Sequence, residues 1–126
     1  MEIIIRGRSD QPLYAQIAGQ IKAQILAGKL CPGEALPSIR ALAKDLRVSV
    51  ITTKRAYDEL EAEGFLVTAA GRGCFVSEKD LEPLREDQAK ELEAHLSAAA
   101  ALARTCGVRY EELQEMLRIL WEEEQA

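Results

Sequence analysis

The feature that most restricts this chain is a change of hydrophobic period at Gly64. Before it, apolar residues fall three times into helical spacing; after it, they alternate. Tyr14, Ile17, Ala18, Ile21 and Ile25 stand at i, i+3, i+4, i+7 and i+11. That spacing predicts one amphipathic helix over roughly 11–28. Asp10 offers it an N-cap, Pro12 sits in the first turn where a missing N–H costs little, and Gly28 is a natural stop. Pro32-Gly33 marks a loop. Ile39, Leu42, Ala43 and Leu46 repeat the pattern over a shorter helix, with Ser38 as its N-cap. Arg47-Val48 makes a tight turn and Ser49 caps a third helix over roughly 50–63 that stops at Gly64. Thr53, Ala56, Tyr57 and Leu60 form the buried face of this helix. At about 100° per residue, Ile51, Lys54, Arg55 and Asp58 point the other way. Past Gly64, Phe65-Leu66-Val67-Thr68 and Cys74-Phe75-Val76 read as two strands around the turn AAGRG. Ahead of all this, residues 2–5 (EIII) suit a short strand or an extended arm.

Helix, short helix, tight turn, helix and hairpin, in that order, make a winged helix-turn-helix over residues 1–77. The fold class is mainly α with a small β-hairpin. Residues 78–126 read as a two-helix tail. Leu92, Leu96, Ala99, Ala103 and Cys106 repeat by 4, 3, 4 and 3, a heptad-like seam. Pro83 places the start of this helix after it or in its first turn, and Gly107 breaks it. A shorter helix, about 109–123, carries Leu113, Met116 or Leu117, Leu120 and Trp121 on an apolar face. Two helices joined by a short loop cannot bury two apolar faces alone, so the tail predicts a homodimer. Its interface would hold Leu92, Leu96, Ala99, Ala103, Leu117, Leu120 and Trp121.

A net charge of −5 over 126 residues argues at first against a nucleic-acid partner. The average conceals a division. Residues 1–77 hold 10 Lys+Arg against 8 Asp+Glu, whereas residues 78–126 hold 6 against 13. Only the first half suits a phosphate backbone. The first residues lack the order of a signal peptide and no apolar run is long enough for a membrane span, so the expected location is cytoplasmic. Three scattered cysteines and one histidine exclude a disulfide framework and a zinc site, and no metal or cofactor is implied. With a single histidine there is no nucleophile–base set, and GRG opens no helix, so it is not a phosphate loop; an enzyme is not expected.

Lys54 and Arg55 project from the third helix, and Ser49 and Thr52 sit in its first turn, where hydroxyls and free N–H groups meet phosphate oxygens. Ser38 and Arg40 lie at the start of the preceding helix. Gly71, Arg72 and Gly73 form the hairpin tip, from which a cation can reach a neighbouring groove. Each is ordinary alone: a Lys-Arg pair is usually a solvated helix face and GRG usually a turn. Their placement on one architecture makes double-stranded operator DNA the expected partner.

The stretches PLYAQIAGQIKAQILAGKLCPGEALPSIRALAKDLRVSVITTKRAYDELEAEGFL and GRGCFV closely resemble the DNA-binding domain of the GntR family of bacterial regulators, over roughly residues 11–77. The tail resembles the YtrA-like subfamily. The resemblance implies a repressor, frequently of a transporter operon, that dimerises through the tail. It implies that Arg40 contacts DNA from the second helix, Ser49, Thr52 and Lys54 act from the recognition helix, and Gly71, Arg72 and Gly73 enter the minor groove. Val50 and Ile51 depart from the family pattern, standing where many members are polar or basic; readout there would be apolar, such as a thymine methyl, or absent. Thr53 and Cys74 replace a common valine and threonine. The alternative to a DNA-binding regulator is a winged-helix adaptor for proteins that has lost DNA binding. A small-molecule effector stays open, since this tail cannot enclose a sizeable pocket without a partner subunit. Of the remaining features, His95 reads as a surface or interface residue, Cys74 as a small filler of the hairpin, and Cys31 as an exposed loop thiol. Cys106 closes the seam. The run Glu122-Glu123-Glu124 reads as a solvated, fraying helix end opposed by the helix dipole.

Overall fold

The local signals resolve, in a computed structural model that describes residues 1–7 and 10–125, into five helices and one hairpin. They are α1 Leu13–Leu26, α2 Ile39–Leu46, α3 Val50–Ala62, β1 Leu66–Ala69, β2 Gly73–Val76, α4 Glu82–Cys106 and α5 Tyr110–Gln125. They divide into two units, Met1–Leu81 and Glu82–Ala126.

In the first unit α1 and α2 both pack against α3, and the hairpin follows α3. The core is built from the residues that the helical spacing selects. Ile17, Ile21 and Ile25 of α1, Leu42 and Ala43 of α2, and Ala56, Tyr57 and Leu60 of α3 are all buried, with Phe65, Leu66 and Val76 closing the far side. Thr53 is buried among them because its hydroxyl donates to the Ser49 carbonyl at 3.1 Å, one turn back. Both expected caps of the helix-turn-helix form. The Ser38 Oγ accepts the Ala41 N–H and the Ser49 Oγ accepts the Thr52 N–H, each at 3.0 Å. Each is worth about 1 kcal/mol. Between the two helices Arg47 adopts the left-handed conformation, φ 57, a place glycine usually takes.

The start of α1 differs from expectation. Pro12, not Asp10, occupies the cap position, and no side chain caps the helix. The reason is local: the residue before a proline is pushed to extended backbone, so Gln11 does not join the helix and Asp10 cannot serve as its cap. The hairpin is antiparallel, with Leu66 opposite Val76, Val67 opposite Phe75, Thr68 opposite Cys74 and Ala69 opposite Gly73. It gains a third line of chain that the loop signals at Pro32-Gly33 concealed. The Gly33 N–H donates to the Val76 carbonyl, the Val76 N–H to the Glu34 carbonyl and the Leu36 N–H to the Cys74 carbonyl, all at 2.9 Å. A segment this short, bounded by Pro32 and Pro37, carries no period of its own.

Residues 2–6 form an extended arm held by a ladder of glutamines on α1. Gln16 Oε1 accepts the Arg6 N–H at 2.8 Å and its Nε2 donates to the Arg6 carbonyl at 2.9 Å. Gln20 makes the same pair with Ile4, and Gln24 donates to the Glu2 carbonyl at 2.7 Å. The spacings match: four residues of helix rise about 6 Å and two residues of extended chain about 6.6 Å. Gln16 is buried, and polar burial is tolerable here because every polar atom of its amide is used.

In the second unit α4 begins at Glu82, with Pro83 in its first turn. Gly107 takes φ 77 and the Val108 N–H closes the turn on the Ala103 carbonyl at 2.8 Å. Ala103 is the buried residue of α4. The other tail residues assigned to a buried face are not buried within the chain: Leu92, Leu96, Ala99, Met116, Leu117, Leu120 and Trp121 are exposed, and Leu113 is half-buried. Nor does the acidic run fray at Glu122. Arg118 bridges Glu115 and Glu122 and α5 continues through Gln125, because ion pairs three and four residues apart offset the unfavourable dipole. The side chain of Glu124 lies outside the described residues.

Candidate nucleic-acid interface

The helix-turn-helix places its polar residues by capping. Ser49 sits at the start of α3, and its hydroxyl pairs with the Thr52 hydroxyl at 2.8 Å. One bond between two hydroxyls leaves one proton over, near the free N–H groups of the first helical turn, and donors of this kind at a helix start suit an anion. Tyr57 ties α3 to the segment that leads into α2 by donating its hydroxyl to the Pro37 carbonyl at 2.7 Å. Burial first, and then Cys74 nearby, hold this phenol well above the usual tyrosine range, so it remains a donor.

The cations divide into two groups. Arg40 on α2 and Arg72 on the hairpin are exposed and have no side-chain partner among the described residues. The structure adds two that apolar periodicity does not single out, Lys44 and Arg47, equally exposed and likewise without a side-chain partner among the described residues. Arg40 and Lys44 stand one turn apart as like charges, which costs a helix a few tenths of a kcal/mol. That repetition is the signal the sequence holds for them. The α3 cations are engaged instead. Lys54 pairs with Asp58 at 2.7 Å, and the Arg55 guanidinium lies over the Tyr14 ring at 3.7 Å from its centre. Tyr14, read as a core position, is thus half-buried beneath an arginine. An exposed pair such as Lys54–Asp58 is worth about 0.3–0.5 kcal/mol, so Lys54 exchanges Asp58 for another anion at little cost.

The wing tip is shaped by glycine. Ala69 accepts the Arg72 N–H at 2.9 Å across a turn whose third residue, Gly71, has φ 75; Gly73, at φ 101, then enters β2. A side chain at either position would be strained, and Arg72 is left exposed between them. The wing is tied to α3 through the Thr68 hydroxyl, which donates to Glu61 at 2.9 Å, and through the Phe65 N–H, which donates to the Leu60 carbonyl.

Outside this surface, burial pushes the Cys74 thiol up, which makes it less reactive; Cys31 and Cys106 are exposed. His95 is exposed on α4 with Glu91 3.7 Å away. No group of potential metal ligands occurs among the described residues. Among the same residues, no helix is long and apolar enough to cross a membrane.

The sequence family described as "Bacterial regulatory proteins, gntR family" matches residues 13–76, the span of α1, the helix-turn-helix and the wing. The chain belongs to this family. It is 37% identical over 116 residues to the HTH-type transcriptional repressor YtrA of Bacillus subtilis, covering 92% of this chain and 89% of that protein. Among solved structures, a GntR family transcriptional regulator from Listeria monocytogenes superposes with a TM-score of 0.70 at 30% identity, over 87% of this chain and 96% of the other. The DNA-binding domain of AraR, solved in complex with operator ORX1, superposes with a TM-score of 0.54 at 30% identity, over 61% of this chain and 96% of that one. The gntR-family match thus rests on the elements that carry Ser38, Arg40, Ser49, Thr52, Lys54, Arg55 and the Gly71-Arg72-Gly73 tip, and the YtrA similarity extends into α4 and α5.

Proposed function

We propose that this gntR-family chain is a sequence-specific repressor that grips a pseudo-palindromic operator as a homodimer. The observation that carries the reading is the run of exposed cations along one helix-turn-helix, Arg40, Lys44, Arg47 and Lys54, in a chain whose charge is otherwise acidic. Arg40, Lys44 and Arg47 would hold phosphates on one side of a groove, α3 would enter it, and Arg72 would reach the adjacent groove from the wing. Two copies joined through α4 and α5 would set two recognition helices about 34–36 Å apart, one turn of B-DNA. The apolar faces exposed on those two helices support a second copy as their cover, with Leu92, Leu96, Ala99, Leu117, Leu120 and Trp121 in the interface, while Ala103 is already buried within the chain. Likeness to YtrA, a named repressor, supports repression by occlusion of polymerase, with a transporter operon as the target. An effector would bind where two tails meet.

A gel shift on the chain's own upstream DNA tests this. Lys54→Ala and Arg72→Ala should each weaken binding with helical content unchanged. For each phosphate no longer neutralised, the slope of log affinity against log salt should fall by about one. Binding as tight as the parent's in both variants would remove these residues from the interface. Failure to bind any upstream duplex would favour the adaptor reading.

A further inference from the structure

The centre of the recognition face is apolar. Ile51, the second residue of α3, is 82% exposed, and Val50 beside it is 42% exposed. Ile51 does little for the fold, since a β-branched residue is a poorer helix former than alanine and little of it is packed. Its position is informative. By helical rotation Lys54 lies roughly 60° to one side of Ile51 and Arg55 roughly 40° to the other, and the buried face of Thr53, Ala56, Tyr57 and Leu60 lies roughly opposite. Lys54, Arg55, Asp58 and Ile51 line one shallow hollow on this outer face. A duplex that approaches both cations therefore covers Ile51.

What it covers Ile51 with is restricted by chemistry. Along the major groove the base edges present donors and acceptors, and the apolar exception is the C5-methyl of thymine. An isoleucine pressed on a polar edge would strand a donor or acceptor without water; pressed on a methyl it strands nothing. We propose that Ile51 reads a thymine C5-methyl group, with Val50 extending the contact, so that each operator half-site carries thymine at one fixed position beneath the start of α3. This rests on the DNA-binding reading above and adds to it the base and the atom recognised.

The test uses the full chain and the tightest duplex it selects from a random library, with thymines replaced one at a time by deoxyuridine. Uracil keeps the base pair and loses only the methyl. One position per half-site should weaken binding about fourfold, from about 0.8 kcal/mol per buried methyl-sized group, and both half-sites together about fifteenfold. Ile51→Ala should lose the sensitivity at that position alone, with melting temperature and helical content unchanged, and Ile51→Val should retain part of it. If the duplex is bound but uracil at every thymine leaves affinity unchanged, or if Ile51→Ala stays as sensitive as the parent, the methyl contact is overturned while DNA binding stands. If no duplex is enriched, the DNA-binding reading fails and this inference falls with it.

Discussion

The two units of this chain treat apolar residues in opposite ways. In Met1–Leu81 most large apolar side chains of α1, α3 and the hairpin turn inward, Leu13, Val50, Ile51 and Val67 apart, and Phe65, beneath the Lys22 ammonium, is only 1% exposed. In the second unit Leu92, Leu102, Leu120 and Trp121 each stand more than half exposed, on helices that meet each other over a small area. Three helices plus a hairpin enclose a volume; two helices joined by a tight turn share only a seam. The first unit completes its own core, and the second leaves its apolar faces uncovered within the chain, which is what the proposed second copy would cover.

That contrast can be broken from either side. The largest effect should come from Phe65→Ala, which opens a cavity in a closed core and should cost about 3–5 kcal/mol, read as a shift in denaturant midpoint. A loss below about 1 kcal/mol would mean that the first unit is not the self-sufficient one. Next, Trp121→Glu should leave helical content intact but move sedimentation toward the monomer, and should weaken operator binding roughly 100-fold or more as the second half-site is lost. Unchanged association would remove α5 from the interface. The smallest effect sharpens the account of the first unit: Gln16→Ala removes two hydrogen bonds to the arm at Arg6 and one to the Gln11 carbonyl, and should cost about 1–3 kcal/mol. Faster hydrogen exchange at the Ile4 and Arg6 amides would report release of the arm; unchanged exchange would mean that Gln20 and Gln24 suffice.

The candidate site is legible in the sequence where local chemistry governs it. Ser38 and Ser49 announce themselves as caps, and the outward set Ile51, Lys54, Arg55 and Asp58 follows from helical rotation once Thr53, Ala56, Tyr57 and Leu60 are taken as buried. What those side chains do next is not legible there. Arg55 rests on Tyr14, some forty positions earlier in the chain, and no spacing rule links the two. Lys44 and Arg47 are missed by apolar periodicity; their spacing from Arg40, at i+4 and i+7, is the one trace the sequence holds of them.

By itself the amino-acid sequence determined the helices, the turn between α2 and α3, the hairpin and its glycine-shaped tip, because caps, turn residues and apolar spacing act over a few neighbours. The helix-turn-helix motif and its family likeness come with them. Tertiary structure alone decided that residues 33–36 pair with β2, that Gln16, Gln20 and Gln24 hold the arm, and that Arg55 is stacked on a ring while Arg40 extends into solvent. These features join segments distant in sequence, and each depends on where packing brings a backbone or a ring within a few ångströms.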